Sequence, residues 1–146
     1  LNYRLDETNA AVGDEQLARL PSWIAGRREA AAAYDDRLDA CSAVVTPATF
    51  EGATHVYHHY PVQVPAGERE AFRAFLDERG ISTGVHYDRT VQAQPAVQDR
   101  VDASETPVAT DYCARTVSLP MHPRLSDDEI ATVCDAVEAF AERGDR

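Results

Sequence analysis

The spacing of apolar side chains changes at residue 55, and this change restricts the chain to folds that combine helices with a sheet. Before it, apolar residues recur at loosely helical spacing over residues 5–20 and 21–41, so two leading helices are predicted, with Pro21 ending the first and opening the second. Over residues 55–64 the positions alternate, which is the period of a β-strand. The mostly apolar face of that strand comprises Val56, His58, Tyr60, Val62 and Val64.

The rest of the chain predicts a further alternation of helices and strands. Helices are expected over residues 68–79 and 107–116, and short strands over residues 81–87 and 117–119. In the first of these helices Ala71, Phe72, Phe75 and Leu76 are expected to share one apolar side. The last helix follows Ser126-Asp127-Asp128-Glu129, a capping box in which the serine hydroxyl and the glutamate carboxylate each accept a backbone N–H. The predicted fold class is therefore α/β, as an α+β sandwich with a small antiparallel or mixed sheet on one side and helices on the other, preceded by a long connecting helix.

The 14 basic residues of the chain are all arginines, because the sequence contains no lysine. This excludes any mechanism in which the chain supplies its own Schiff-base amine or P-loop lysine. The 25 acidic residues give a net charge of -11, which disfavours nucleic acid and anionic membrane surfaces as partners. Since no apolar run has the length of a membrane span and no signal layout opens the sequence, a cytoplasmic chain is expected.

Cysteines and histidines offer few candidate sites. Cys41, Cys113 and Cys134 are odd in number and far apart, so free and mostly buried thiols are expected rather than disulfides or a C-x-x-C site. On a strand, His55 and His59 would share one face and His58 would point to the other, and no nearby cysteine or carboxylate completes a tetrahedron. No metal site is therefore predicted. His86 and Tyr87 follow a short predicted strand, where side chains commonly project into a cleft.

Four segments of the chain follow one another in the order of a single known pattern. The first is N-x-R-x-D-E-x-x-A-A at residues 2–11, and the second is HVYH at residues 55–58 with Tyr60. The third is GISTGVHY at residues 80–87, and the fourth is LPMHP at residues 119–123 before the capped helix. Gln94-Pro95-Ala96 also fits. Together these segments resemble the sugar aminotransferases of the DegT/DnrJ/EryC1/StrS family.

The resemblance implies a fold-type-I enzyme that uses pyridoxal phosphate (PLP) and works as a homodimer with an active site shared between subunits. Residues 1–20 would be the end of the large PLP-binding domain, residues 21–41 the connecting helix, and residues 42–146 the C-terminal small α+β domain. Members of the family are considerably longer than this chain. The sequence begins at Leu1 and its one methionine is Met121, so a fragment or processed product is expected. The greater length of the family members agrees with this expectation.

The resemblance also implies roles for individual residues, although no catalytic residue is assigned because the Schiff-base lysine is absent. Asn2 would donate to the PLP phosphate of the neighbouring subunit, since an amide NH2 approaches a phosphate oxygen without titrating. Arg4 would contact the anionic nucleotide sugar or the carboxylate of the amino donor. His86 and Tyr87 would line the nucleotide-sugar cleft. The structural alternatives are a helix-start hydrogen bond for Asn2 and an ion pair with Glu7 for Arg4.

Two departures affect what can be carried over from the family. Asp88 stands where the family commonly has proline, and Gln92 where it often has histidine, so the contacts and charge near the cleft differ. The expected function of the whole protein is amino transfer from an amino acid, glutamate by preference, to a keto sugar nucleotide in cell-surface polysaccharide or glycan sugar biosynthesis. The alternatives are a PLP-dependent sugar dehydratase relative, or a non-catalytic, free-standing remnant that binds a partner or a nucleotide sugar.

Overall fold

The computed structural model describes residues 4–100 and 106–144. The elements in chain order are helix α1 (Glu7–Leu38), strand β1 (Tyr60–Gln63), helix α2 (Arg69–Asp77), helix α3 (Pro107–Arg115), strand β2 (Thr116–Leu119) and helix α4 (Asp127–Gly144). A short 3-10 helix, Val91–Ala93, lies between α2 and α3. None of the helices in the described ranges is both long and apolar enough to cross a membrane.

The first helix is continuous through Pro21, so the predicted break into two helices is wrong. Its 32 residues would extend about 48 Å at 1.5 Å per residue. A proline inside a helix removes one backbone hydrogen bond, and the carbonyl it frees needs another partner. Pro21 and its preceding turn are exposed, so water can hydrate that carbonyl, and Ser22 Oγ donates to the Arg19 carbonyl at 2.7 Å. Strong helix formers on both sides then carry the helix onward.

Within the part of the chain that the structure describes, only the C-terminal half of α1 packs against other elements. Its buried residues are Ala30, Ala31, Tyr34 and Leu38. Arg37 adds ion pairs to Asp135 and Glu138 of α4, each with a closest distance of 2.8 Å. The N-terminal half exposes its large apolar residues, Val12 at 50%, Leu17 at 65% and Leu20 at 42%.

The sheet consists of two antiparallel strands that are extended on both sides by single bridges. Tyr60 lies opposite Leu119, and Val62 lies opposite Val117. Beyond the two strands, Val45 bridges to Gln63, and Gly84 bridges to Ser118. The predicted strand over residues 81–87 is thus wrong in extent, because within it only Gly84 makes backbone ladder bonds.

The predicted strand over residues 55–64 is also shorter than expected, since β1 begins only at Tyr60. The preceding residues form an irregular loop in which Tyr57 adopts a positive φ of 45° and its backbone N–H donates to His55 Nδ1 at 2.9 Å. The face alternation therefore holds for Tyr60, Val62 and Val64, which are buried, and fails for Val56, which is 47% exposed.

One hydrophobic core joins the sheet to α1, α2 and α4. Phe72, Phe75 and Leu76 form the buried stripe of α2, as the spacing predicts, whereas Ala71 is exposed. Phe140 of α4 meets both phenylalanine rings edge-on. The capping box is confirmed, because Ser126 N–H donates to Glu129 Oε2 at 2.8 Å and Glu129 N–H donates to Ser126 Oγ at 3.3 Å. A small antiparallel sheet with packed helices and a long leading helix is the predicted α+β architecture.

Candidate functional site

Residues from three separate segments line a cavity of about 280 Å³ beside the sheet. The segments are the loop before β1, the strand β2 and the turn after Gly84. Polar and aromatic side chains dominate the lining, which includes His55, His58, His59, His86, Tyr87 and Ser118. The two predicted cleft residues therefore reach one cavity, where His86 is half-buried and Tyr87 is 70% exposed.

His86 is held against β2 by Ser118. The imidazole Nδ1 lies 3.0 Å from Ser118 Oγ, and Ser118 is only 3% exposed. Two backbone hydrogen bonds between Gly84 and Ser118, at 2.8 and 3.0 Å, fix the start of the same turn. A Cβ on Gly84 would lie 2.5 Å from His86 Cε1, so glycine allows the ring to fold back over the backbone. The peptide bond between His86 and Tyr87 is cis.

His59 stacks on His86 and joins the two loops of the site. The two ring centroids are 3.8 Å apart with 12° between the planes, and the His58 ring lies 4.1 Å from that of His59. Burial lowers the pKa of His59 below its ordinary value, and the neighbouring basic side chains of His86, His58 and Arg27 lower it further. His58 and His59 thus lie together, which contradicts the prediction of opposite faces, because these residues precede β1 and do not alternate.

Arg27 of α1 holds the loop that carries these histidines, a role that the sequence analysis does not predict. Its Nη1 donates to the carbonyls of Tyr57 at 3.1 Å, His58 at 3.0 Å and Met121 at 3.3 Å. These acceptors lie up to 94 positions away in the sequence. The sequence shows only an arginine pair in an alanine-rich helix, so no local signal marks Arg27 as a structural clamp.

Asn2 and Arg4, the residues predicted to serve the cofactor and the substrate, are not among the residues that line this cavity. Asn2 is outside the described residues. Arg4 is exposed and precedes α1, whose N-terminus is about 30 Å from Arg27 along the helix axis. The N-cap of α1 is Asp6, which accepts from the backbone N–H of Asn9 at 2.9 Å, so this helix start needs no cap from Asn2.

The two positions that depart from the family pattern are engaged locally. The Asp88 carboxylate pairs with Arg89 at 3.0 Å, and this guanidinium is the main reason that the pKa of Asp88 is lowered. Gln92 Nε2 donates to Thr106 Oγ1. In these conformations Asp88 is neutralised by its neighbour, and Gln92 ties the 3-10 helix to the residue before α3.

The three cysteines are free, and they differ in burial more than expected. Cys134 is buried, whereas Cys41 and Cys113 are half-buried. Burial raises the pKa of the Cys134 thiol to about 11. Within residues 4–100 and 106–144, no three histidine, cysteine or acidic side chains are placed to hold a metal ion.

The sequence profile of the DegT/DnrJ/EryC1/StrS aminotransferase family matches residues 1–138. This chain belongs to that family. The resemblance noted from the four sequence segments is thereby confirmed, and the DegT/DnrJ/EryC1/StrS aminotransferases are PLP-dependent.

Sequence relatives and solved structures match nearly the whole length of this chain. A dTDP-3-amino-3,4,6-trideoxy-alpha-D-glucose transaminase of Streptomyces venezuelae is 35% identical over 146 residues, covering 99% of this chain and 38% of that protein. The crystal structure of S. venezuelae DesV in complex with ketimine intermediate has a TM-score of 0.90 at 35% identity, covering 96% of this chain and 38% of that one. The PLP-form of Spr1654, a putative sugar aminotransferase of Streptococcus pneumoniae, has a TM-score of 0.85 at 26% identity and covers 96% of this chain and 36% of that one.

These superpositions confirm the predicted fold, which is that of the C-terminal portion of fold-type-I aminotransferases. This DegT/DnrJ/EryC1/StrS family chain spans about 38% of the length of the first of those relatives. The comparisons do not assign roles to Asn2, Arg4, His86 or Tyr87, which stay predictions.

Proposed function

We propose that this chain is the C-terminal part of a PLP-dependent aminotransferase that moves an amino group from an amino acid, glutamate, to a keto sugar nucleotide. The family match over residues 1–138 carries this proposal. Relatives named as transaminases of dTDP-linked sugars, 35% and 36% identical, support the substrate class. The aminated sugar would enter cell-surface polysaccharide or other glycans.

In this proposal residues 1–20 end the large domain, residues 21–41 form the connecting helix, and residues 42–146 form the small domain. The exposed apolar side chains in the N-terminal half of α1 support this division, because they would be covered by a larger domain. The boundary at residue 20 would then lie inside a continuous helix. Such a helix is a rigid link between the two domains.

The described residues do not form a PLP site by themselves. They contain no lysine, and the cavity beside β2 is lined by imidazole, phenol and hydroxyl groups. When bound, PLP supplies the electron sink for amino transfer. The proposed part of this chain is to bind the substrate: His86 and Tyr87 line the nucleotide-sugar cleft, where a mostly apolar, aromatic wall carries a few polar groups, as in many ligand sites.

We further propose that Asn2 and Arg4 serve the active site of the other subunit of a homodimer, with Asn2 at the PLP phosphate and Arg4 at the substrate. The geometry of α1 supports this assignment. Arg4 precedes a helix whose first turn is about 30 Å from the part that contacts the His86 cavity, so one chain does not bring the two sites together. A neighbouring subunit can do so.

Mixing two variants of the native-length protein tests the function and the shared site together. One variant is Arg4→Gln, and the other lacks the lysine that would hold PLP. Each alone should convert glutamate and a keto sugar nucleotide poorly, as measured by mass spectrometry of the amino sugar and 2-oxoglutarate. Mixed dimers should regain activity, because one site then combines an intact lysine with an intact Arg4 from the neighbour.

The control is Arg19→Gln, which replaces an exposed arginine of α1 whose guanidinium pairs with Glu15 at 3.4 Å. It should leave KM nearly unchanged, whereas Arg4→Gln should raise the KM of the anionic partner by about tenfold or more, since a charged hydrogen bond contributes about 1.5–3 kcal/mol. Mixed dimers without recovery would contradict the shared site. Wild-type protein that transfers no amino group to any keto sugar nucleotide would refute the aminotransferase itself.

A further inference from the structure

Three of the imidazole rings that line the cavity contact one another in series, and the proposed function uses only that of His86. His58 touches His59, and His59 stacks on His86 with ring centroids 3.8 Å apart. His59 comes from the loop before β1, whereas His86 comes from the turn after Gly84. The stack therefore joins two segments that are not neighbours in the sequence.

The turn that carries Tyr87 has few other anchors. Its backbone is bonded to β2 through Gly84 and Ser118, and its next side-chain anchor is the His86–Ser118 contact at 3.0 Å. Tyr87 itself is 70% exposed and lies edge-on to His86, with ring centroids 6.0 Å apart. The position of the Tyr87 phenol in the cleft consequently depends on how firmly His86 is held.

Burial disfavours a protonated His59, and the ionisable groups that act on it are all basic. They are His86 from the facing turn, His58 beside it and Arg27 from α1. Arg27 carries a permanent positive charge, so a proton on His59 is disfavoured both by burial and by this charge. The stack is thus compatible with a neutral His59 and is weakened when His59 is protonated.

We propose that His59 and Ser118 are positioning residues, which fix His86 and through it present Tyr87 to the substrate, and that protonation of His59 releases this arrangement. The inference rests on the proposed function, because that function supplies the nucleotide sugar that Tyr87 would contact. The direction of the pH effect follows from linkage. The released form binds a proton that the stacked form excludes, so the stacked form loses population as the pH falls below the ordinary histidine range.

The test uses the native-length holoenzyme with 3-fluorotyrosine placed at position 87, and it compares wild type with His59→Phe. Phenylalanine can stack on His86 but cannot take up a proton. Between about pH 7.5 and about pH 5.5 the wild-type fluorine resonance should move, and it should stay at its neutral-pH position in His59→Phe. Over the same range the KM for the nucleotide sugar should rise in wild type and much less in His59→Phe. The rise is up to about tenfold per pH unit as the pH falls from the ordinary histidine pKa of the released form towards the lowered pKa of the stacked form.

Two further variants make the test specific. Ser118→Ala should shift the fluorine resonance toward its acid position already at neutral pH and raise KM more than it lowers kcat. His122→Phe, which removes an exposed imidazole outside the stack, should retain the wild-type pH response. A His59→Phe protein with the wild-type pH response would overturn the proposal, as would a fluorine shift with no change in KM. If the protein transfers no amino group, the proposed function fails, while the fluorine titration still decides whether His59 holds the turn.

Discussion

Replacing Gly26 with alanine should destabilise this protein, although alanine is the better helix former. Gly26 lies where α1 crosses the loop after β2. A Cβ at this position would be 2.5 Å from the Pro123 carbonyl oxygen and 3.3 Å from its carbonyl carbon. The contact is with backbone, so no side-chain rotation relieves it. The helix and the loop would have to separate by roughly an ångström to reach ordinary van der Waals contact.

The same helix contains a matched control in Gly13, around which a new Cβ meets no atom within 4 Å. Glycine to alanine in a helix interior contributes about 1 kcal/mol through propensity, and this gain applies to both positions. At Gly26 it is opposed by about 1–3 kcal/mol of overpacking. The displaced loop also carries the Met121 carbonyl that accepts from Arg27 at 3.3 Å. Gly26→Ala should therefore cost about 1 kcal/mol, while Gly13→Ala should gain about 0.5–1 kcal/mol.

Urea unfolding followed by circular dichroism measures this difference in the native-length protein, with both variants compared at an unchanged m value. Hydrogen exchange of α1 and of residues 121–123 then locates the effect, because a local clash lowers the free energy of opening at the crossing. The reasoning is refuted if Gly26→Ala stabilises the protein as much as Gly13→Ala does. It is equally refuted if the loss appears in the exposed half of α1 and not at the crossing.

Three smaller predictions concern single contacts. Tyr60→Phe removes the 2.5 Å hydrogen bond to Asp35, so it should cost about 1.5–3 kcal/mol in urea unfolding near pH 7. Because burial raises the pKa of Asp35 and this bond lowers it, the loss should shrink as the pH falls and Asp35 is protonated. Ser126→Ala should cost about 1 kcal/mol. The pKa of Glu129 is lowered first by the backbone N–H of Ser126, which alanine keeps, and then by its hydroxyl, so only the part of the cost due to the hydroxyl–carboxylate bond should diminish in acid. In alkylation followed by mass spectrometry, Cys134 should react only after unfolding, whereas the other two cysteines react in the folded protein.

The features that the sequence predicted well are those set by neighbours in the chain. The capping box at Ser126 involves residues three apart, and the buried stripe of α2 repeats at helical spacing. The register of β1 against β2 also keeps Tyr60 and Val62 inward, as alternation requires. In each case local hydrogen bonding or periodicity determines the structure, so a short stretch of sequence is sufficient to predict it.

The features that the sequence missed depend on contacts between distant segments. Pro21 was expected to end a helix, but its exposed turn tolerates the lost hydrogen bond. His58 and His59 were expected on opposite faces of a strand, yet the carbonyl of His58 is bonded to Arg27 and its ring contacts His59. No periodicity within residues 55–64 reveals a partner 31 positions away in α1. The candidate site was thus found in part, through His86 and Tyr87, while the residues that hold it were not.

Arg27 links the leading helix, which the sequence predicts, to the loops of the site, whose contacts it does not predict. Through one guanidinium nitrogen, α1 is bonded both to the loop that carries His58 and His59 and to the loop after β2. One turn earlier, Trp23 and Ile24 are only half-buried, and beyond them the helix is exposed. In the proposed function a larger domain covers that exposed half, and it would then set the direction of α1 and, through Arg27, the position of the imidazole stack. The geometry of the cavity therefore depends on a helix that lies mostly outside it.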